Sequence, residues 1–501
     1  MTTQLPARDD VLRPEIAAPV SEENLDRSLV SGIAWTGGVK AATQALSWLS
    51  TLVIARLLSP TDYGISGMAM IFTGLVQIVN EFGLSAAVVQ RRDLDDDQIA
   101  KLGGLSVLLG ALMCAIAVLS APLVATFFRQ PAVRDVVIVL STTFLTSSFQ
   151  VLPRSLLTRE LRFRTLASIE AAEALTQTVF TLVLAVLGWR YWSLVGGLVM
   201  GRLASTALAL RFRHHRLAWP RPLASIKDPV WFGGHVAAGS IAWYVFRSAD
   251  MTVVGKRLGD VALGAYTLGW TIASLPVDRI AALVARATPA IFARVQDDVE
   301  ALRRYVLTLT EGIALLAVPA AVGLALVAGD FVTVVLGPRW VFAITALRIL
   351  SLAAIFRSTI PILNQVLIAT GQARRSMQGT VGIAIVLPLL FIAGSHWGIG
   401  GVAVVWLALF PIASFAFYVR HALATCQVSP MQYLGAMWPA ASAALVMTVI
   451  VLIVHQSLAQ SAPLLRLALE VAAGAMTYAA VVYATQGARI LSFVAEFRAR
   501  R

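Results

Sequence analysis

Long apolar stretches recur along the whole chain, and each is long enough to cross a lipid bilayer. A spanning helix needs about 20 mainly apolar residues. Breaks at proline, glycine and charged clusters predict about fourteen such helices, at residues 30–57, 64–90, 102–128, 136–153, 168–188, 192–211, 230–255, 262–289, 305–327, 341–369, 376–395, 399–419, 434–455 and 466–486. We therefore expect an all-α, multi-pass membrane protein with little protein outside the bilayer.

The composition agrees with lipid as the main solvent. Only 13% of the 501 residues are charged, whereas a soluble protein has about 25%. The net charge of +13 does not predict a nucleic-acid partner, because the Lys and Arg residues are scattered between apolar stretches instead of clustered on one soluble face. The two cysteines, Cys114 and Cys426, offer no disulfide framework or metal-ligand spacing, so we predict no metal or cofactor.

The distribution of Lys and Arg predicts the orientation of the chain. Cytoplasmic loops of membrane proteins are enriched in these residues, and alternate loops of this sequence carry most of them. The bias persists from loop to loop, which favours an even number of helices with both termini in the cytoplasm of a bacterial cell, and an inner-membrane location. Residues 1–29 lack the apolar core of a signal peptide and are predicted to be a cytoplasmic tail.

The sequence also contains an internal repeat. Residues 55–64 (ARLLSPTDYG) recur in outline as residues 255–264 (GKRLGDVALG), and in both places a long helix and a charged segment follow. Six helices separate the copies, so both enter the membrane in the same direction. This predicts two parallel six-helix lobes with a site between them. The predicted divisions are 1–29 (tail), 30–211 (N-lobe), 212–229 (linker), 230–422 (C-lobe), 423–487 (two appended helices) and 488–501 (cytoplasmic tail).

The same residues resemble a known family. LLSPTDYG at 57–64 and FGLSAAVVQ at 82–90 are similar to segments of Wzx-type polysaccharide flippases, which belong to the polysaccharide transporter family of the superfamily that also holds the MATE drug exporters and the lipid II flippases. The resemblance implies translocation of undecaprenyl-pyrophosphate-linked oligosaccharide units across the inner membrane, for exopolysaccharide, capsule or O-antigen synthesis. It also implies partnership with a polymerase and a co-polymerase.

Charged residues inside predicted helices are the candidate site residues, because a charge at the bilayer centre is costly and usually faces a wet cavity or a partner. Lys40 shares a polar helix face with Thr36, Thr43 and Ser47. The predicted cations of a substrate cavity are Lys40, Arg202, Arg247 and Arg357. The candidates for ion coupling or ion pairing are Glu81, Asp250, Asp278 and Arg279, with H⁺ or Na⁺ as the coupling ion. Arg247 and Asp250, three residues apart, can alternatively pair with each other.

Two other functions compete with a flippase. A MATE-type antiporter shares the two-lobe design, but several cavity cations suit an anionic substrate better than a cationic drug. A membrane polysaccharide polymerase or glycosyltransferase needs catalytic residues on a substantial loop, whereas the predicted periplasmic loops are short and the six histidines are scattered. We therefore expect a transporter and not an enzyme.

Overall fold

The computed structural model describes residues 48–81, 84–90, 94–221 and 227–499, and these residues are almost entirely helical. Within those ranges the chain contains no β-strand. Ten of the described helical stretches are long and apolar enough to cross a membrane. The all-α, multi-pass fold is therefore confirmed, whereas the count of fourteen helices and the cytoplasmic position of both termini remain predictions.

The described part of the N-terminal half is a succession of helices. Their bounds are α1 (Trp48–Leu57), α2 (Pro60–Glu81), α3 (Leu84–Gln90), α4 (Asp96–Phe128), α5 (Ala132–Arg159), α6 (Phe163–Val186) and α7 (Tyr191–Phe212). α5 is longer at both ends than the predicted helix at 136–153. An extended segment, residues 213–221, follows α7 and runs along α4, where the Ala218 amide donates to the Ala100 carbonyl at 3.0 Å.

The C-terminal half is also a succession of helices. The bounds are α8 (Lys227–Arg247), α9 (Ala249–Arg294), α10 (Val299–Phe331), α11 (Ala343–Ala369), α12 (Ala373–Gly394), α13 (Gly398–Val404), α14 (Phe410–Ser414), α15 (Arg420–Thr425), α16 (Pro430–Ser457) and α17 (Pro463–Ala499). Two π-helical turns, Val405–Leu409 and Phe415–Val419, join α13, α14 and α15. A third, Val332–Leu336, continues α10.

Similar N-terminal caps begin α4 and α10, which are corresponding helices of the two halves. Asp95 caps α4 by accepting from the Gln98 amide, and Asp298 caps α10 by accepting from the Ala301 amide. Such caps satisfy amide groups that the first helical turn leaves open. The helices that follow are both 33 residues long. The repeat predicted from residues 55–64 and 255–264 therefore extends to the helices that follow it, while the lobe boundaries remain predictions.

The helix predicted at 230–255 is interrupted at Ser248, between α8 and α9. Arg247 therefore ends one helix and Asp250 lies in the first turn of the next. α9 is itself interrupted at Gly259, where a φ of 87° is available to glycine at little cost. α9 then runs against α2, so that the largest apolar cluster includes residues of both halves.

Candidate functional site

Asp250 is the most buried of the predicted charges whose side chains the structure describes. It has no exposed surface. One carboxylate oxygen, Oδ2, accepts hydrogen bonds from the Tyr266 hydroxyl and the Trp406 Nε1–H, both at 2.9 Å. The other, Oδ1, accepts from the Met251 amide at 2.7 Å. A buried carboxylate needs donors of this kind to offset its lost hydration, and the π-helical turn Val405–Leu409 supplies one of them by carrying Trp406.

Arg357 lies near the same tryptophan and against a second one, Trp270. Its guanidinium carbon is 3.9 Å from the Trp270 ring centroid and 5.8 Å from that of Trp406. Its Nη2 also donates to the Ser274 hydroxyl at 3.1 Å. Cation–π contact and stacking hold a planar guanidinium in a fixed plane. Trp406 therefore links Arg357 to Asp250 in one half-buried charged group of the C-terminal half.

A second polar site occupies the N-terminal half. It is a cavity of about 310 Å³. Its lining contains two arginines among hydroxyl and amide groups, and consists of Gln77, Ser85, Ser147, Gln150, Val151, Arg154 and Arg202. Polar residues from α2, α3, α5 and α7 meet here, inside the otherwise apolar bundle.

Carboxylates on α6 compensate the two arginines of this cavity. Glu173 pairs with Arg202 at 3.0 Å and with Arg154 at 3.5 Å, while Glu170 lies 3.6 Å from Arg154. The Ser205 hydroxyl donates to Gln150 at 2.7 Å and helps to fix the wall behind them. Two neighbouring guanidiniums present paired donors, the arrangement that suits phosphate oxygens. Hydroxyl and amide groups beside them suit sugar hydroxyls.

The other predicted site residues have different positions. Lys40 lies outside the described residues. Glu81 is the last residue of α2, and Asp278 and Arg279 lie on α9, but the side chains of these three are outside the described part. The Arg247 side chain is exposed at the end of α8, and the Asp250 carboxylate is bound by other donors.

Several site residues were missed by the sequence reasoning. Arg154 lies just past the predicted helix at 136–153, whereas α5 continues past it to Arg159. Glu173 lies near the start of the predicted helix at 168–188 and is not among the candidates from the sequence. Trp270 and Trp406 carry no signal of their own in the sequence, because an aromatic residue in an apolar helix usually belongs to the core.

A third charged cluster joins α10 to α16 and α17. Arg466 donates to both carboxylate oxygens of Asp330, and His455 Nδ1 lies 2.7 Å from the buried Glu470. The ligand atoms of Asp330, His455 and Glu470 lie within 4.8 Å of one another, a spacing that a metal ion can bridge. Arg466 already binds both oxygens of Asp330. We therefore interpret the cluster as a set of ion pairs that holds α16 and α17 against α10, and call it the ion-pair clamp.

Known proteins share the fold and the sequence pattern. The chain is 25% identical over 422 residues to the lipopolysaccharide biosynthesis protein WzxC of Escherichia coli K12, which covers 83% of this chain and 85% of that protein. It is 25% identical over 379 residues to the teichuronic acid biosynthesis protein TuaB of Bacillus subtilis, covering 75% and 78% of the two chains. A structure of the lipid II flippase MurJ in an inward closed conformation superimposes with a TM-score of 0.73 at 13% identity, over 90% of this chain and 99% of that one.

These likenesses confirm the predicted resemblance and the MurJ-like and MATE-like fold. They also agree with the helical composition in placing the chain in the bacterial inner membrane as a multi-pass protein. The model of the polysaccharide biosynthesis protein family matches residues 53–345, which is more than half of the sequence. The chain is therefore a member of the polysaccharide biosynthesis protein family.

Proposed function

We propose that this protein is a flippase, which moves an undecaprenyl-pyrophosphate-linked oligosaccharide unit from the cytoplasmic to the periplasmic leaflet by alternating access. The observation that supports it best is the pair of arginines, Arg154 and Arg202, in a polar cavity of an otherwise apolar bundle. A pyrophosphate loses much of its hydration on entering such a bundle. Paired guanidinium donors offset that loss.

Two glutamates on α6 explain how the two arginines are tolerated in the cavity before substrate binds. In the absence of substrate, Glu173 and Glu170 together neutralise the two arginines, so the cavity does not hold two uncompensated charges. An anionic head group then takes over the guanidinium donors from Glu173. A cationic drug offers no such exchange, and for this reason we prefer a lipid-linked anion to the substrate of a MATE-type antiporter.

Asp250 is the proposed coupling residue. It is a buried carboxylate whose environment combines three hydrogen-bond donors with the nearby Arg357. Binding and release of H⁺ or Na⁺ at Asp250 would change the charge next to Arg357. This change would alter the relative stability of the inward-open and outward-open conformations. Glu81 is the other candidate from the sequence. The transported unit is then consumed by a polymerase and its co-polymerase, the proposed partners, so this chain itself carries out transport and not bond formation.

Deletion of the gene with complementation tests the function. We expect the deletion strain to lose its surface polysaccharide and to accumulate lipid-linked units on the cytoplasmic leaflet. The wild-type gene should restore the polysaccharide, whereas the double variant Arg154→Gln/Arg202→Gln should not. The matched control is Arg216→Gln, an exposed arginine of the segment 213–221, which should complement fully. Normal polysaccharide in the deletion strain, together with altered drug sensitivity, would overturn the proposal.

A further inference from the structure

The two copies of the repeat are paired residue by residue with an offset of 200. Arg56 corresponds to Lys256, Pro60 to Asp260 and Gly64 to Gly264. All lie at one face of the bundle, where α1 passes into α2 and where α9 is interrupted at Gly259. The sequence predicts that this face is periplasmic. Contacts at this face join the two halves.

The first cation of the pair reaches from the N-terminal half into the C-terminal half. Arg56 donates from Nε to the Val335 carbonyl at 2.7 Å and from Nη2 to the Val334 carbonyl. Both carbonyls belong to the π-helical turn that ends α10. Carbonyls at a helix C-terminus lack intrahelical partners and carry partial negative charge, so a cation satisfies them well. Next to it, the Trp340 indole N–H donates to the Ala55 carbonyl at 2.7 Å.

The second cation makes the same contact in the opposite direction. Lys256, in the C-terminal half, donates to the Phe127 carbonyl and lies 4.5 Å from the centroid of the Phe127 ring. Phe127 is in the last turn of α4, the helix that corresponds to α10. Each half therefore caps the C-terminus of the equivalent helix in the other half. We call these two contacts the Arg56 clasp and the Lys256 clasp.

Between the two clasps, the backbones of α2 and α9 cross in close contact. Equivalent residues of the two halves make equivalent contacts there. A Cβ atom added to Gly64 would lie 1.9 Å from the Asp260 carbonyl oxygen, and one added to Gly264 would lie 1.8 Å from the Pro60 carbonyl oxygen. No side chain fits at such distances, so glycine is required at both positions for α2 and α9 to meet. A contact in which equivalent residues exchange roles is self-complementary, like the interface of a two-fold dimer.

We propose that Arg56 and Lys256 are positioning residues for transport, which hold the two halves closed at this face and must both release before the face can open. The inference rests on alternating access, as proposed for the flippase. Because the clasps lie on either side of the Gly64–Gly264 crossing, a rotation that separates the halves breaks both of them. Loss of either one lowers the free energy of the open state relative to the closed state.

Labelling of a cysteine behind the crossing tests this inference without any substrate. Thr267 lies one turn beyond Gly264 and faces α2 across the contact, since a Cβ atom on Gly67 would lie 3.8 Å from its hydroxyl. The reporter is Thr267→Cys in a background of Cys114→Ser and Cys426→Ala, and the probe is a membrane-impermeant maleimide added from the side of this face. In cells that lack the glycosyltransferases for the lipid-linked unit, that side is the outside.

We expect slow labelling of the reporter when both clasps are intact. Arg56→Gln and Lys256→Gln should each raise the labelling rate about tenfold, the population change expected for loss of a charge-assisted hydrogen bond. Gly64→Ala, which cannot coexist with the closed crossing, should raise it at least as much. The matched control is Gly312→Ala on α10, whose Cβ atom would meet no neighbouring atom within 4 Å and should leave the rate unchanged.

An unchanged labelling rate in the clasp variants would overturn the inference, and so would equal rates for Gly64→Ala and Gly312→Ala. If one clasp variant does not insert, the other still tests the inference, because loss of either clasp is expected to favour the open state. The outcome is independent of the flippase assignment, because no lipid-linked substrate is present. A labelling change without transport of that substrate would contradict the proposed function and leave the clasps established.

Discussion

The guanidinium carbon of Arg357 lies 3.9 Å from the centroid of the Trp270 ring, in the middle of the C-terminal half. The stack places a fixed cation next to Trp406, which in turn donates to Asp250. A cation that faces an aromatic ring keeps its charge while part of its hydration is lost. The relationship therefore explains how a guanidinium, which stays charged in proteins, can be accommodated among apolar helices.

Substitutions in this stack should show whether transport depends on the charge of Arg357 alone or also on its planar contact with Trp270. Trp270→Ala should lower the transport rate about tenfold or more, because the loss of a desolvated cation–π contact is worth about 2 kcal/mol. Trp270→Phe keeps a ring face and should lose less. Arg357→Lys keeps the charge without the planar group and should fall between wild type and Trp270→Ala. Transport of lipid-linked oligosaccharide in proteoliposomes measures the effect; equal rates for Trp270→Ala and Trp270→Phe would be inconsistent with a role for the stack.

Asp250→Asn should uncouple transport from its driving ion. The side chain would keep its size and lose the charge that binds H⁺ or Na⁺. The control is Tyr266→Phe, which removes one of the three donors to the carboxylate but leaves the charge. Transport rates are measured against imposed pH and sodium gradients. We expect the gradient dependence to persist in Tyr266→Phe and to vanish in Asp250→Asn; full dependence in Asp250→Asn would exclude Asp250 as the coupling residue.

The docking of segment 213–221 should weaken in acid. Burial lowers the pKa of His215 below its usual 6.5, and the neighbouring charges of His214 and Arg213 lower it further. A folded-state pKa below the unfolded value means that the undocked segment binds more protons, so docking is fully present above about pH 6.5 and is lost as the pH falls below that value. Hydrogen-exchange protection of the Ala218 amide reports the change, after correction for the intrinsic pH dependence of exchange.

His215→Leu should remove that acid sensitivity, because it leaves no group to protonate in the same space. The exposed neighbour provides the control, and His214→Gln should retain most of the pH dependence. Protection of Ala218 that falls equally in wild type and His215→Leu would assign the acid effect to another group.

The ion-pair clamp on α16 and α17 should contribute strongly to stability. Arg466→Gln leaves the carboxylates of Asp330 and Glu470 without their guanidinium partner. Loss of charge-assisted hydrogen bonds from this half-buried arginine costs about 1.5–3 kcal/mol. The double variant Asp330→Asn/Arg466→Gln should cost less than the sum of the single changes. The midpoint of thermal unfolding in detergent measures these effects, with the exposed Arg339→Gln as the reference substitution. Additive single effects would show that the two residues act independently.

The sequence predicts the all-α, multi-pass fold class, but it predicts only some of the residues that form the candidate site. Periodic apolar stretches and the repeat at 55–64 and 255–264 predict the helices and their duplication, since both depend on local pattern. Arg202 and Arg357 are candidates from the sequence because a charge in an apolar stretch is conspicuous, and their role in the site stays a prediction. Arg154 was missed because the same arginines that indicate topology can also continue a helix into a cavity.

The contacts of the candidate site that the sequence does not predict are those between segments far apart in the chain. Trp406 is 156 positions from Asp250 in the chain, and only the packing of the C-terminal half brings them together. Ser248 was read as part of a continuous helix, so Arg247 and Asp250 were offered as a pair. The interruption there lets Asp250 turn toward Tyr266 and Trp406, a choice that local periodicity does not encode.

Translocation of a lipid-linked oligosaccharide in proteoliposomes tests the central claim most directly. Vesicles that contain the purified chain, undecaprenyl-pyrophosphate-linked oligosaccharide with a fluorescent sugar, and a membrane-impermeant quencher report how fast the head group crosses the bilayer. We expect wild-type protein to raise that rate well above the rate of protein-free vesicles, and Arg154→Gln/Arg202→Gln to return it toward that baseline. A wild-type rate equal to that of protein-free vesicles, under both pH and sodium gradients, would contradict the assignment as a flippase.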